Sequence, residues 1–214
     1  MRRNTFKPII FITLILGVAA FAFLFIYRNV PSQSSAVSSP NFITSEETEE
    51  YAVYSALLEK LFVKDDVKLL VIQKQTISSV NNYFIRVTVE EPIPEMKELF
   101  PSVSEDTFLD YRTKNQQPSS LNSEFVLSVK YVVTDEFELK EDGGAAWIDS
   151  FYKKFPDTRG MIRVSKVGFN KDRTEAFVFV EFICPALCGG GNNVLLEKNF
   201  GEWKVKEQFD GWKS

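Results

Sequence analysis

The stretch that decides the fold is "MIRVSKVGFNKDRTEAFVFVEFICPALCGGGNNVLLEKNFGEWKVKEQFDGW", residues 161–212. It contains four runs rich in β-branched and aromatic residues, joined by the short connections "NKDR" and "FGE" and by one cysteine–glycine loop. Such runs with short turns predict a meander of four antiparallel strands. Helical and strand patterns are segregated along the chain, so the sequence predicts an α+β domain whose helices pack on an antiparallel sheet.

The first half of the domain carries several weaker patterns. A helix is predicted from Thr44, which can form a capping box with Glu47. Its apolar residues recur at spacings of three and four and define one buried face; they are Tyr51, Tyr54, Leu58 and Leu61. Residues 67–79 and 82–91 are rich in strand-forming side chains, which predicts an antiparallel pair of strands.

Four further features lead up to the meander. Short helices are predicted over residues 94–100 and 104–115, the second with Ser102 and Glu105 as its capping pair. Residues 124–136 return to a strand pattern. A helix over residues 145–155 places aromatic rings at a spacing of four, and we expect these rings to face the sheet; they are Trp147, Phe151 and Phe155.

The N-terminal segment predicts the compartment. Residues 8–27 are uncharged and largely apolar, and they follow three basic residues, Arg2, Arg3 and Lys7. At about 1.5 Å per residue, a helix of this length spans a bilayer, and the basic residues place its start in the cytoplasm. We therefore expect a cytoplasmic tail (1–7), a single-pass signal anchor (8–27), a Ser/Pro-rich tether (28–44) and an exported domain (45–214) in the cell membrane.

The alternative is a cleaved signal peptide. Its cleavage site would be Ala20-Phe21-Ala22, but an apolar run continues beyond it. The main domain would then be secreted instead of held at the membrane.

The composition of the chain excludes several classes of function. The 214 residues include no histidine, so Ser-His-Asp, Cys-His and HExxH sites are absent from the sequence. The formal net charge is −4, and the basic residues do not cluster with aromatic ones, so we expect no nucleic acid partner. We also expect no cofactor and no metal.

The only two cysteines, Cys184 and Cys188, lie in the loop of the meander, followed by Gly189. A metal site would need more ligands, a redox pair prefers C-x-x-C at a helix start, and a phosphate loop needs a helix after its glycines. In an exported loop a disulfide is the expected state, with two buried free thiols as the alternative.

Three hypotheses of function follow from these residues. The first is a non-enzymatic, membrane-tethered module that binds an envelope protein or ligand through the loop and Trp212. The second is a hydrolase using two carboxylates, with Tyr152 as a proton donor; the candidate acids are Asp149, Glu175, Glu181 and Asp210. The third is a small-ligand pocket between the 145–155 helix and the sheet, lined by Trp147, Phe151 and Phe169.

The runs "WIDSFYKKFPDTRGMIRVSKVGFN" and "EAFVFVEFICPALCGGGNNVLLEKNFGEWKV" and the final "WKS" resemble a family of bacterial proteins that carry a lipoprotein signal or a membrane anchor. The resemblance extends over residues 95–214. Its matching positions are Trp147, Phe151, Tyr152, Phe155, Pro156, Gly160, Ser165, Val167, Gly168, Phe169, Asn170, Cys184, Cys188, Gly189, Gly191, Trp203 and Trp212. Two positions depart from the pattern, Phe155 in place of Tyr and Pro185 in place of Gly. The resemblance implies a membrane-anchored topology and no established activity.

Overall fold

The computed structural model describes residues 45–137, 146–184 and 188–214, which form one mixed α+β unit of five helices around a seven-stranded sheet. The helices are α1 (Ser45–Phe62), α2 (Tyr83–Glu90), α3 (Ile93–Leu99), α4 (Glu105–Lys114) and α5 (Ala146–Lys154). The strands are β1 (Leu69–Gln73), β2 (Lys130–Thr134), β3 (Thr158–Val164), β4 (Gly168–Phe169), β5 (Glu175–Ile183), β6 (Gly190–Asn199) and β7 (Glu202–Lys213).

The predicted anchor at residues 8–27, the tether and the cap at Thr44 lie outside the described residues. Within the described ranges, no helix has the length and apolar character needed to cross a bilayer.

The sheet runs in the order β2-β1-β3-β5-β6-β7, with β4 also paired to β5. Antiparallel pairing joins β3 to β5, β5 to β6 and β6 to β7, so the predicted four-strand meander is confirmed. The first predicted strand is broken around Lys166, and its two parts, β3 and β4, both pair with β5. The sheet as a whole is mixed, because β1 pairs in parallel with both β2 and β3.

One face of the sheet is covered by α1. Alternate residues of β5, among them Val178 and Val180, point to this face and join one apolar cluster with Tyr54 and Leu58 of the helix. The predicted apolar face of α1 is largely confirmed: Tyr51, Tyr54 and Leu58 are buried, and Leu61 is half-buried. The hydroxyl of Tyr54 donates to the backbone oxygen of Ser165 at 2.8 Å, which fixes the helix at the break between β3 and β4.

The other face is covered by α2, α3, α4 and α5 in two separate apolar clusters. Phe177 and Phe179 of β5 pack with α2, α3 and α4. Phe151 of α5 and Phe155, the residue after it, pack with Met161 of β3, which confirms the prediction that these rings face the sheet. A buried polar pair on β3 and β5 lies on this same face.

Residues 82–91 were predicted as a strand, and this prediction is wrong. They form α2, and the side chain of Asn82 caps its start by accepting a hydrogen bond from the amide of Ile85 at 3.1 Å. Ile85 and Val89, four residues apart, lie on one buried face, so helical spacing overrides the strand propensity of the individual side chains. The antiparallel pair predicted for residues 67–79 and 82–91 is therefore absent.

The other local predictions are confirmed except for one cap. The helices over 94–100 and 104–115 and the strand within 124–136 are present as α3, α4 and β2. The cap of α4 is Ser104 and not Ser102: the Ser104 hydroxyl accepts from the amide of Thr107 at 3.4 Å.

Candidate functional site

The long hairpin of β5 and β6 gives the domain two distinct ends. The entry end is where the described chain begins: Glu49, in the second turn of α1, accepts from Lys198 and from the indole of Trp203, both at 2.5 Å. The loop end carries Cys184 and Cys188, where β5 leads into β6. Nine residues of β5 separate the two ends, which corresponds to about 30 Å of extended strand.

A buried ion pair lies near the loop end. Arg163 of β3 is directly opposite Glu181 of β5, and its guanidinium donates to a carboxylate oxygen of Glu181 at 2.6 Å. The other oxygen accepts from the side-chain amide of Asn82, the cap of α2, at 3.1 Å. Glu181 is 3% exposed, so this carboxylate is enclosed between the sheet and the start of α2.

Burial is the main influence on the ionisation of this pair. Burial raises the pKa of the Glu181 carboxyl, while Arg163, Asn82 and the nearby Trp212 indole act in the opposite direction by favouring the charged form. Burial likewise lowers the pKa of Arg163, which Glu181 opposes. The guanidinium stays protonated, because its ordinary pKa is far above neutral pH.

Further buried polar atoms surround the pair without a protein partner. Gln73 follows the residue of β1 that pairs with Ile162, so it lies beside Arg163 on the same face. Its side-chain oxygen, Nε of Arg163 and the side-chain oxygen of Asn193 on β6 are buried without a hydrogen bond to the protein. Buried polar atoms of this kind are normally satisfied by ordered water, so we expect water beside the ion pair.

A group of aromatic side chains lies beside this polar centre at the loop end. We call it the aromatic surface, and it consists of Tyr83, Phe84 and Trp212. Tyr83 is 68% exposed, while Phe84 and Trp212 are half-buried. The ring of Phe84 is edge-on to Tyr83 at 5.7 Å and stacks on Trp212 at 6.4 Å between ring centres.

The absence of a side chain at Gly191 leaves the space that the Trp212 ring occupies. A Cβ atom at Gly191 would lie 2.4 Å from the indole nitrogen of Trp212 and 2.6 Å from the ring of Phe179. Gly191 is also directly opposite both Glu181 and Trp212 in the sheet. The glycines after the cysteines therefore make room for the indole beside the ion pair, which is a packing role.

The cysteine loop closes the same end. Cys184 and Cys188 lie at disulfide distance, with their Cα atoms 5.7 Å apart; residues 185–187 between them, including Pro185, lie outside the described ranges. The amide of Gly189 donates to the hydroxyl of Ser214 at 3.0 Å, and the Ser214 amide donates back to the Gly189 oxygen at 3.1 Å. The loop and the C-terminal residue are thus joined beside Trp212.

The structure does not bring the candidate carboxylates together. Asp149 is exposed on α5, and Asp210 is exposed on β7, where it pairs with Lys213 at 3.1 Å. Glu175 accepts from the amide of Ser104 at 2.8 Å and from the hydroxyl of Thr107 at 2.7 Å, so it supports the start of α4.

Tyr152 has a structural partner as well. Its hydroxyl donates to the backbone oxygen of Arg159 at 2.7 Å, and partial burial raises its pKa. Both effects disfavour proton donation by Tyr152 to a bound substrate.

The aromatic residues proposed to line one pocket are divided between the two faces of the sheet. Phe151 is fully buried in the α5 cluster, with Trp147 half-buried against it at 5.3 Å. Phe169 belongs to the α1 cluster on the opposite face, where it contacts Trp203.

A cleft of about 540 Å³ lies at the entry end, beside Phe169. The ammonium group of Lys114 lies 2.7 Å from Glu46, 2.6 Å from Asp110 and 5.1 Å from the ring of Phe169. The charged groups of this cleft are paired with one another, so it is an ion-pair network and offers no free charge to a ligand.

Among the described residues, no group of three Cys, Asp or Glu side chains is arranged to hold a metal ion. Comparisons with protein-family models, curated proteins and solved structures found no match to this chain. The resemblance to anchored bacterial proteins therefore stays an expectation from the sequence.

Sequence reasoning found Glu181, Trp212 and the cysteines but missed Asn82, Arg163 and the exposed side chains at the start of α2. The signal for Arg163 was a single charge within the apolar run "GMIRV". No comparable signal existed for Asn82 and Tyr83, because they were assigned to a strand that does not form.

Proposed function

We propose that this protein is a membrane-tethered, non-enzymatic binding module of the bacterial cell envelope and that the aromatic surface is its contact with a partner protein. The observation that carries the proposal is the exposure of Tyr83 at the edge of the packed rings of Phe84 and Trp212. Tyrosine and tryptophan are among the residues that most often supply the binding energy of protein interfaces.

The aromatic surface is held rigid from below, which favours binding. Asn82 both caps α2 and donates to Glu181, so the residue before Tyr83 is fixed to the sheet. The packing of Trp212 over Gly191 fixes the opposite side of the surface. A surface that is already ordered loses little conformational entropy when a partner binds, which increases affinity.

The position of the surface also fits a tethered module. The sequence predicts a membrane anchor before residue 45, and α1 begins at the entry end. The aromatic surface lies at the loop end, about 30 Å of strand away. We propose that the bilayer is on the entry side and that the aromatic surface faces the space beyond it, with Cys184 and Cys188 bonded in that oxidising compartment.

The same geometry argues for binding instead of catalysis. Glu181 is the best-placed candidate acid, yet its oxygens are occupied by Arg163 and Asn82, and 3% exposure leaves no room for a substrate. We propose that Glu181 is a positioning residue whose charge orients Asn82 and thereby the start of α2.

Site-specific photo-cross-linking in the native host would test this proposal. A photoreactive phenylalanine at Tyr83 should give a discrete cross-linked product with an envelope protein. The matched control is Val126, which is 83% exposed and lies beside Ser55, in the middle of α1. A product from position 83 that is absent at 126, and that is lost in a Trp212→Ala background, supports the proposal; equal products at both positions or none at position 83 would refute it.

A further inference from the structure

The turn between β6 and β7 carries an unusual residue. Asn199 and Glu202 pair directly, so the hairpin is closed by two residues, Phe200 and Gly201. Both have positive φ angles, +52° and +86° respectively. The Phe200 side chain is fully exposed and packs on nothing.

Phenylalanine is poorly suited to this position. A two-residue turn with positive φ at both positions favours Asn-Gly or Asp-Gly, because a bulky side chain is strained in the left-handed region. The strain is not compensated by packing, since the ring is exposed. A strained and exposed apolar residue points to a contact made outside the domain.

The turn lies at the entry end. The residue before Asn199 is Lys198, whose ammonium group contacts Glu49 of α1, and the amide of Lys198 donates to the oxygen of Thr174 in the neighbouring turn. That neighbouring turn also carries Lys171, whose side chain is 83% exposed and pairs with Asp106 at 2.9 Å. Lys204 follows the Phe200 turn on β7 and lies 3.5 Å from Glu202. The end of the domain where the chain enters therefore presents one phenyl ring flanked by exposed lysines.

The chain before α1 limits how far this end can lie from the apolar segment. Residues 28–44 are rich in Ser and Pro, and a chain of this length spans at most roughly 60 Å when fully extended. The Phe200 turn is thus within reach of any bilayer that holds residues 8–27.

We propose that the Phe200 turn contacts the surface of the bilayer that anchors this chain, with the phenyl ring between the lipid headgroups and with Lys171 and Lys204 exchanging their exposed carboxylate partners for lipid phosphates. This inference rests on the membrane anchoring in the proposed function. Apolar side chains with neighbouring lysines are typical of segments that bind a membrane interface. Contact at the entry end orients the domain, so the aromatic surface is directed away from the membrane.

The test uses the full-length protein reconstituted into vesicles of phosphatidylcholine and phosphatidylglycerol, with or without brominated acyl chains. Two variants each gain one tryptophan, Phe200→Trp and the matched control Val126→Trp, and the emission of the parent protein is subtracted. In vesicles, the tryptophan at position 200 should emit at shorter wavelength than the tryptophan at position 126, and brominated lipid should quench it more.

Two results would overturn the inference and are distinguishable. If the protein stays with the vesicles after an alkaline wash but both positions are quenched equally, the anchor is present and the Phe200 contact is wrong. If the wash removes the protein from the vesicles, the anchor and the proposed function fail together with the Phe200 contact.

Discussion

Ion pairs occur at both ends of the sheet, but water reaches them to very different extents. At the entry end, the side chain of Lys114 is 20% exposed and its partner Glu46 is 47% exposed. At the loop end, the side chains of Arg163 and Glu181 are 11% and 3% exposed. The charges of the entry-end pair are therefore screened by water, while those of the loop-end pair are poorly solvated.

The difference separates two roles for charge. Exposed pairs contribute little to stability and can exchange partners, so the entry-end pairs fasten α1 loosely. A buried pair gains little over an apolar replacement, but the loss of one member leaves an uncompensated charge. We therefore interpret the Arg163–Glu181 pair as fixing the position of neighbouring side chains. The variants below test whether the pair positions these side chains or stabilises the fold.

The largest effect is expected from breaking the buried pair. Glu181→Leu leaves Arg163 buried without a counter-charge, and we expect the free energy of unfolding to fall by about 3–5 kcal/mol. The double variant Arg163→Met/Glu181→Leu should be close to the parent or more stable, because neither charge remains. Urea unfolding of the parent, the single variant and the double variant measures both values.

The double variant also separates stability from binding. If Glu181 positions Asn82 and the start of α2, this stable variant should still lose the cross-link from Tyr83. A double variant that keeps the cross-link at parental yield would show that the pair has no part in forming the aromatic surface.

A smaller effect is expected from Gly191→Ala at the same end. The added methyl group would lie 2.4 Å from the Trp212 indole nitrogen, so the ring must move away from Glu181. Overpacking of this kind costs about 1–3 kcal/mol. Thermal unfolding measures the cost, and the control is Val126→Ala, which changes a side chain that is 83% exposed.

At the entry end we expect a weak effect from Lys198→Met. This change removes the ion pair with Glu49 and the ammonium group 5.5 Å above the Trp203 ring, while Trp203 still donates to Glu49. The free energy of unfolding should fall by no more than about 1 kcal/mol, and by less at high salt. A loss as large as that of Glu181→Leu would mean that the two ends do not differ as described.

The two ends should also respond to pH with opposite signs. The pKa of Glu46 is lowered by its hydrogen bond to Lys114 and by the nearby positive charge, so its stabilisation is lost as pH falls through its pKa in the folded protein, below 4.5. The pKa of Glu181 is raised by burial, so its contribution is present below pH 4.5 and is lost as pH rises through its folded value.

Difference measurements isolate these two contributions. The unfolding free energy of the parent is compared with that of Glu46→Gln and of Arg163→Met/Glu181→Leu between about pH 3 and about pH 7. The first difference should grow with rising pH and the second should shrink. Two slopes of the same sign would contradict the assigned environments.

The sequence predicts the C-terminal meander well because its contacts are local. Each strand is followed within a few residues by its partner, and the break around Lys166 leaves both parts of the first strand on β5. The parallel pairing of β1 with β2 and β3 joins segments far apart in sequence, and no turn signal marks such a connection. The mixed character of the sheet therefore required the structure.

The sequence predicted only part of the candidate site, because the burial of Glu181 depends on a segment far from it in the sequence. Glu181 and Trp212 lie on predicted strands, but a glutamate on a strand is ordinarily on a solvated face. Its burial depends on α2, whose Val, Ile and Tyr residues suggest a strand unless the cap at Asn82 is recognised. The error at residues 82–91 therefore hid both the partner of Glu181 and the exposed Tyr83.

The parallel half of the sheet sets the order in which the chain can fold as it is synthesised. β1 pairs with β2 and β3, and β3 in turn joins β1 to the meander, so β1 cannot join the finished sheet until residues 158–164 have been made. Such a topology has a high contact order. The apolar faces of its N-terminal helices stay partly exposed until the strands that bury them have been synthesised. Until the last third of the chain emerges, the buried face of α1 lacks its contacts with β5 and β6, and only earlier segments, such as the one carrying Phe125, are there to pack on Tyr51.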